Sequence, residues 1–497
     1  MKSYKILKQR IISNESKELN NTINIYQKVI EYLLPKIANQ FYINKDFIKL
    51  RNLEKMQYIE KLIHKTKNNE PKYKDFNKLF INFPSYFRRT AINDSIGIIL
   101  SFNSRFDEYI KDKKEFESKS KNIKDNKLYH IKPPTFNLKP NQMPTYYKDN
   151  MFKIIKNKET KKDEIFIKIL RNNNDYQWIK IQIKDRSSSK FLNELKEYKI
   201  KNPTITKKGK KYFLYFMYEK NVKYKEAKEV FKIKKTKKGK KFVINNLRIL
   251  GIDLGINNDA ICSIIDNKGT VLGKKFINFS REKGQINQFI KRRNKQYSKT
   301  NTKKYNQFPK INRKITNHQK DLGNKIVNEL FLYIKSSKID YVILENLDNF
   351  LKVKNRNQKE KFHYWRKISI QNKLISKLES IGIRYRKINP KGTSQYAFNG
   401  SGKVNRGLKI NKEIKKNYSL CKFTDNKIYN SDLNASYNIG SRFIYNELIK
   451  YEFKDNKENR KELQQFKTKV LELFCRTSFC LSDIRKIQKT FSEFSFI

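Results

Sequence analysis

Acidic residues are scarce in this sequence: 48 Asp and Glu stand against 112 Lys and Arg, a formal charge of +64 over 497 residues. A chain so positive repels itself unless a polyanion neutralises it. Bias toward AT-rich codons would enrich Lys, Asn, Ile and Tyr, but it would enrich Asp and Glu too, so the imbalance points to nucleic acid. Aromatic residues make up 13% of the chain, more than disordered basic tails carry, and they offer surfaces on which bases stack. Cysteine is nearly absent. Cys262, Cys421, Cys475 and Cys480 cannot build a disulfide framework in a chain of this length and read as reduced thiols. There is no apolar run of about 18 residues, which argues against a membrane helix. The opening MKSYKILKQR lacks the apolar core of a signal peptide. A soluble, cytoplasmic protein is expected, with about two to four domains at the usual domain size.

Residues 2–12 alternate loosely, as a lone strand would. From Glu15 the period changes: Leu19, Ile23, Tyr26, Ile30, Leu33, Leu34 and Ile37 recur at three and four residues, which predicts an amphipathic helix. Leu50, Leu53, Met56, Ile59, Leu62 and Ile63 predict a second, and a third starts near Pro84. Arg88 and Arg89 on it could grip phosphates or form a solvated face. Pro133, Pro134, Pro140 and Pro144 then break the helical pattern. Residues 151–247 read as short strands and turns, a small β-barrel. The string TKKGKK occurs at 206–211 and again at 236–241. Gly209 and Gly239 suit the left-handed position of hairpin turns, and Lys208 and Lys238 make their tips cationic. Tyr212, Leu214, Phe216 and Tyr218 alternate along one strand and read as barrel core ahead of base-stacking residues.

At Arg248 the pattern becomes α/β. Three strands (RILGIDLG, DAICSIID, VLGKKFINF) precede a long basic helical stretch carrying Lys291, Arg292, Arg293, Lys303 and Lys304. A strand, a helix, a strand (IRYRKINP), a Gly-, Ser- and Asn-rich segment at 392–431 and a last helical region follow. That order is the order of an RNase H-like fold. It would bring three carboxylates together: Asp253 in the first strand, Glu345 ending YVILENL and Asp432 opening the last helix. A carboxylate in an apolar strand is costly unless a cation compensates it. Such a set describes a cage for two Mg2+ ions, hard cations that hydrolyse phosphodiesters by in-line displacement when about 4 Å apart. Taken singly, Asp432 also reads as a helix N-cap and Glu345 as a solvated strand end. GIDLG also resembles the phosphate turn of actin-like ATPases and sugar kinases, but the second glycine-rich turn those enzymes need is missing. Cys262 reads as core packing.

At these residues the sequence resembles the RuvC nuclease domain of type V CRISPR effectors, in particular the miniature type V-F group and its transposon-encoded RNA-guided relatives. GIDLGINN, ILENL and SDLNASYNIG are similar to that family's three RuvC motifs, in order. The resemblance implies a multidomain α+β chain. Residues 1–12 would be the first strand of a wedge barrel, 13–129 a helical recognition domain, and 130–247 an oligonucleotide-binding-like wedge β-barrel. Residues 248–391 would form the first part of an RNase H-like RuvC domain, 392–430 a target-nucleic-acid-binding insert, and 431–497 the rest of RuvC with C-terminal helices. Asp253, Glu345 and Asp432 would be the catalytic, Mg2+-binding residues, and Arg406 the phosphate-contacting arginine of the insert. The implied activity is RNA-guided DNA endonuclease: a short flanking duplex motif is recognised, guide RNA pairs with target DNA, and one RuvC site cuts both strands. Implied partners are guide RNA, double-stranded target DNA and a second copy of the chain on one guide RNA, in a prokaryotic cytoplasm. A nuclease guided by transposon-end RNA and a nuclease-dead repressor remain as alternatives.

The insert departs from the family pattern TS-x-x-C-x-x-C followed by C-x-x-C. Ala397, Gly400 and Thr424 stand at three of its four ligand positions and Cys421 at the fourth. One ligand cannot hold zinc, so no zinc is expected there, and Cys475 and Cys480 lack a partner pair.

Overall fold

A computed structural model describes residues 2–12, 16–120, 132–136, 142–157, 159, 163–171, 175–184, 189–224, 231–236, 239–244, 246–255, 258–299, 308–347, 358–406, 419–452 and 480–484. It divides into two compact units, residues 2–220 and, with Met1, 221–497.

In the first unit β1 (Lys2–Ile12) leads into α1 (Ser16–Ile43), α2 (Lys45–Lys49), α3 (Asn52–Ile63), α4 (Phe76–Leu79) and α5 (Ser85–Ser120). There follow β2 (Gln142–Thr145), β3 (Phe152–Lys156), β4 (Asp163–Leu170), β5 (Tyr176–Lys184), α6 (Ser189–Leu195), β6 (Lys199–Ile200), β7 (Thr204–Lys208) and β8 (Lys211–Asn221). The strands join in the order β2-β7-β8-β1-β5-β4-β3, with β6 paired to β8. Residues 2–12, which alternate as a lone strand would and which the resemblance made the first strand of a barrel, are the middle strand of this sheet. Pro144, which cannot donate to a ladder, lies in the edge strand β2, where no second partner is needed.

The apolar stripe predicted for α1 is buried along its length. It meets alternate residues of the sheet, Ile165, Ile167 and Ile169 of β4 and Tyr212, Leu214 and Phe216 of β8, together with Phe87 and Ile92 of α5. Thr22 clamps helix to strand by accepting a hydrogen bond from the Leu170 amide at 2.9 Å. Helices and sheet therefore share one core, whereas separate helical and barrel domains divided at residue 129 were expected. Neither layer alone could bury its apolar face. Arg88 also differs from expectation. It is buried, and its guanidinium donates to Glu60 Oε1 from Nε (3.2 Å) and Nη2 (2.9 Å), while Arg89 Nε bonds both oxygens of the same carboxylate. A desolvated guanidinium needs its carboxylate, so Arg88 is spent inside the unit and does not face a phosphate.

The second unit opens with a hairpin, β9 (Phe231–Thr236) and β10 (Gly239–Ile244). Among the described residues its strands pair with each other and not with the eight-stranded sheet, although the barrel was expected to extend to 247. Then come β11 (Arg248–Asp253), β12 (Ala260–Asp266), β13 (Val271–Ile277), α7 (Ser280–Lys299), α8 (Pro309–Ser336), β14 (Tyr341–Glu345), α9 (Gln358–Ser380) and β15 (Arg384–Ile388). A small insert of β16 (Asn405–Arg406), β17 (Leu420–Lys422) and β18 (Ile428–Asn430) precedes α10 (Ser431–Glu452).

The main sheet runs β13-β12-β11-β14-β15. β11 is antiparallel to β12 and parallel to β14, which is parallel to β15. β11 and β14 are apolar on both faces, as strands sandwiched between helices must be. Leu250, Ile252, Val342 and Leu344 pack with the α7–α9 side. Ile249, Tyr341 and Ile343 pack with Leu433, Tyr437 and Phe443 of α10. Gly251 shares that second face, and a Cβ there would stand 2.2 Å from the Ser436 carbonyl oxygen, so α10 rests directly on the backbone of β11.

Candidate active site

Strand parity decides where the carboxylates go. Asp253 and Glu345 have the parity of Ile249 and Ile343, so both belong to the face that α10 covers. β11 and β14 run parallel with Ile249 beside Tyr341 and Gly251 beside Ile343. Continuing that register by two residues sets Asp253 next to Glu345 at the ends of the two strands.

The third carboxylate arrives on α10. Asn430 caps this helix, its Oδ1 accepting from the amides of Asp432 (3.1 Å) and Leu433 (2.9 Å). The N-cap role that Asp432 could have filled is thus taken, and its side chain is left to other partners. Gly255, just past β11, makes room for it: a Cβ there would come within 3.1 Å of Asp432 Oδ2 and 2.6 Å of the Asn258 carbonyl.

Burial and the neighbouring Glu345 and Asp432 charges push the Asp253 carboxyl up to about 8, against the pull of Lys367 and Arg406. Burial raises Asp432 as well, opposed by Arg406 and Lys367. None of the three carboxylates forms an ion pair among the described residues. Nor, among the described residues, do three His, Cys, Asp or Glu side chains stand close enough together to enclose a metal ion. The donor chemistry nevertheless suits a hard cation: carboxylate oxygens on rigid elements, with more negative charge than two nearby cations offset.

Two cations and a hydroxyl surround the cluster. Arg406 ends β16 and is paired there with Cys421 of β17. Its Nη2 donates to the Ser431 carbonyl at 3.5 Å, and its buried Nε has no hydrogen-bond partner among the described residues. Lys367 sits on α9 between two anchors. Arg366 reaches the buried Asp259 at 3.4 Å, and Gln371, one turn on, donates to the Glu345 carbonyl at 3.0 Å. Thr393 donates to Glu345 Oε1 at 2.7 Å. The segment carrying Thr393 is fastened to α10 by Asn434, Asn438 and Arg442, spaced four residues apart on one face. Asn434 donates to the Tyr396 carbonyl, Asn438 to those of Thr393 and Tyr396, and Arg442 to those of Asn389 and Lys391.

Sequence reasoning missed Lys367 and Thr393. Lys367 is one lysine among many with no pattern of its own, and its importance comes from the Arg366 and Gln371 anchors beside it. For Thr393 a signal existed, the TS dipeptide that opens the insert. Because Thr393 orients a carboxylate without being one, Thr393→Val should lower the activity of this centre about tenfold while leaving the melting temperature nearly unchanged, which single-turnover kinetics and thermal melts would check.

The other basic residues singled out lie elsewhere. Lys208 is exposed beside the β7–β8 turn, where Gly209 has φ +59°. Lys238 falls outside the described residues. Arg292 is exposed on α7, and Arg293, half-buried, bonds Asn294 at 3.3 Å with its guanidinium 5.8 Å from the Tyr297 ring. Cys262 is a buried strand residue whose thiol burial pushes up to about 12. In the insert, Ala397 and Cys421 pack with Phe423 in a small apolar core, and Cys421 Sγ donates to the Tyr429 carbonyl.

The Aq_aa04 family matches residues 2–171. No curated protein matches the sequence. Among solved structures, the chain is similar to the protein of a Cas12f1–sgRNA–target DNA complex, with 16% identity, 88% of this chain and 99% of that chain covered, and a TM-score of 0.49. It is similar to the mini-RNA-guided endonuclease CRISPR-Cas_phi3, with 12% identity, 89% and 92% covered, and a TM-score of 0.36. It is also similar to Alicyclobacillus acidoterrestris C2c1 in complex with single-guide RNA, with 9% identity, 86% and 69% covered, and a TM-score of 0.41.

Proposed function

We propose that this chain is an RNA-guided DNA endonuclease of the miniature type V-F kind, with an RNase H-like RuvC centre in its second unit. One observation carries the reading. Parallel strands β11 and β14 end in Asp253 and Glu345 on the face covered by α10, whose first turn brings Asp432. Asp253, Glu345 and Asp432 would hold two Mg2+ ions, which when bound supply the Lewis acidity for phosphodiester hydrolysis.

The chain's own groups do the rest. Thr393 keeps the Glu345 carboxylate turned toward the centre. Arg406 and Lys367 place positive charge around Asp253 and Asp432, where they would bind the phosphate oxygens of the strand to be cut. Residues 2–220, with the lysine-tipped β7–β8 hairpin, would hold guide RNA and heteroduplex through their backbones, leaving sequence choice to base pairing. Two copies would share one guide RNA. The insert would keep its shape through the Ala397, Cys421 and Phe423 core without zinc.

The test is to purify the protein from its host, sequence the RNA that accompanies it, and offer a duplex matching that RNA in Mg2+. Cutting that needs both the RNA and the match supports the reading; cutting without RNA, or none with it, overturns it. Elemental analysis of the same preparation should find less than one zinc per chain, and its mass should correspond to two proteins per RNA.

A further inference from the structure

The eight-stranded sheet of the first unit has a second face, turned away from its core. The inward set Tyr212, Leu214 and Phe216 is buried, so the alternate residues Phe213, Tyr215 and Met217 of β8 lie on the other side. β1, which pairs with β8, puts Tyr4 (50% exposed), Ile6 (62% exposed), Lys8 and Arg10 on that side too. On β4 and β5 the corresponding rings are Phe166 and Trp178, each half-buried. Lysines lie across these rings: Lys8 Nζ is 4.0 Å from the centre of Phe213, and Lys153 Nζ is 4.5 Å from Trp178 and 5.6 Å from Phe166.

Rings on strands are usually core. These alternate with the core set and are open to solvent on one side, in a chain with no shortage of positive charge. Arg10 stands directly opposite Lys184 in the β1–β5 register, and its Nε has no hydrogen-bond partner among the described residues. Like charges facing across strands are destabilising unless an anion joins them. Tyr215 responds to the same field: partial burial would raise its hydroxyl, yet Thr206, Lys208 and Lys8 hold it below the usual phenol range. Apolar rings interleaved with cations on an open sheet match unpaired nucleotides, whose bases stack while their phosphates meet the lysines. A duplex shows no free base face and would use only the charges. β8 and β4 are three strand spacings apart, about 14 Å, within reach of one short strand.

We propose that this face is a stacking surface for unpaired RNA, with Phe213, Tyr215, Phe166 and Trp178 against bases and Lys8, Arg10 and Lys153 against phosphates. A lysine that lies over a ring would swing to the phosphate when a base takes its place. The choice of RNA over DNA rests on the guide RNA of the proposed function; the stacking chemistry does not depend on the nuclease centre.

Because so basic a chain binds RNA at other places, the test needs a local signal. Trp178 is one of 2 tryptophans, so Trp365→Phe isolates its emission in the full chain. A twelve-residue oligouridine should quench that emission. Phe213→Ala with Tyr215→Ala should weaken the quenching titration by about 10–100-fold, while Phe213→Tyr with Tyr215→Phe should restore it. Lys8→Ala should lower the salt slope by about one. No quenching in the Trp365→Phe protein would overturn the proposal. So would an unchanged titration in the double alanine variant, or tighter quenching by oligothymidine or by a duplex of equal length. Adding Asp253→Ala must leave the titration unchanged, which keeps failure here distinguishable from failure of the nuclease assignment.

Discussion

Asp253→Asn should lower cleavage of a guide-matched duplex at least about 10³-fold while leaving RNA and target binding intact. The amide keeps the shape of the side chain but removes the charge that a hard cation needs. Single-turnover cleavage in Mg2+, run beside a filter or gel-shift measurement of target binding, separates the two effects. Cutting at the wild-type rate would remove Asp253 from the centre. The same substitution carries a second expectation of opposite sign. Burial and two like charges raise the Asp253 carboxyl to about 8, whereas the unfolded chain titrates near the usual value of about 4. As pH climbs from about 4 to about 8, the unfolded state sheds a proton that the folded state retains, so folding stability declines across that window. Asn escapes this penalty. In chelator at pH 8 the Asn variant should therefore melt several degrees higher than wild type, and the gap should close at pH 4. A catalytic group held in a destabilising setting shows this pairing of lost activity with gained stability.

Gly251→Ala should be the most disruptive small substitution in the second unit. The added methyl would stand 2.2 Å from the Ser436 carbonyl oxygen and 2.9 Å from the Gly440 amide nitrogen. Both are backbone atoms that no rotamer change can move, so α10 must lift off β11. Overpacking that forces a backbone shift typically costs about 1–3 kcal/mol, and here it meets the main chain of α10 at two points, so about 3–5 kcal/mol is expected. Cleavage should fall with it, since α10 carries Asp432 and fastens the Thr393 segment. Gly440→Ala is the control: its methyl would crowd the Ile265 side chain at 2.8 Å but meet main chain only at ordinary contact, the Gly251 nitrogen at 3.7 Å, and should cost about 1 kcal/mol. Urea melts of the three proteins would rank them. Equal stabilities for Gly251→Ala and wild type would mean that helix and strand are further apart than these contacts describe.

Much of the second unit was legible because its signals are local. The unbroken apolar runs in RILGID and YVILE mark strands buried on both faces, and the place of Asp253 and Glu345 within them follows from counting by twos. The first unit was less legible. Periodicity located α1, α3 and α5, but short pieces such as β2, β6 and β7 lack enough residues to show a period, and α6 is barely two turns. Phe213 and Tyr215 could not be told from Tyr212 and Phe216 by sequence, because an aromatic on either face of a strand has the same neighbours in the chain. Arg88 and Arg89 likewise look identical on paper. Both bond Glu60, 28 residues from Arg88, yet Arg88 is buried and the Arg89 side chain is 42% exposed.

The sequence by itself determined the chemistry available: an overwhelming positive charge, a few acids set in apolar strands, and four cysteines in the whole chain. These follow from composition and from periods of two and of three to four, which need no contact between distant residues. The tertiary structure alone decided which of those groups meet. It set β1 in the middle of a sheet, paired with β5 some 170 residues later, and used Asn430 as the cap so that Asp432 was left for the cluster. It brought Lys367 and Thr393 to carboxylates from elements that no local pattern connects. Packing is the reason: partners across a core are selected by shape and burial, and sequence distance places no limit on them.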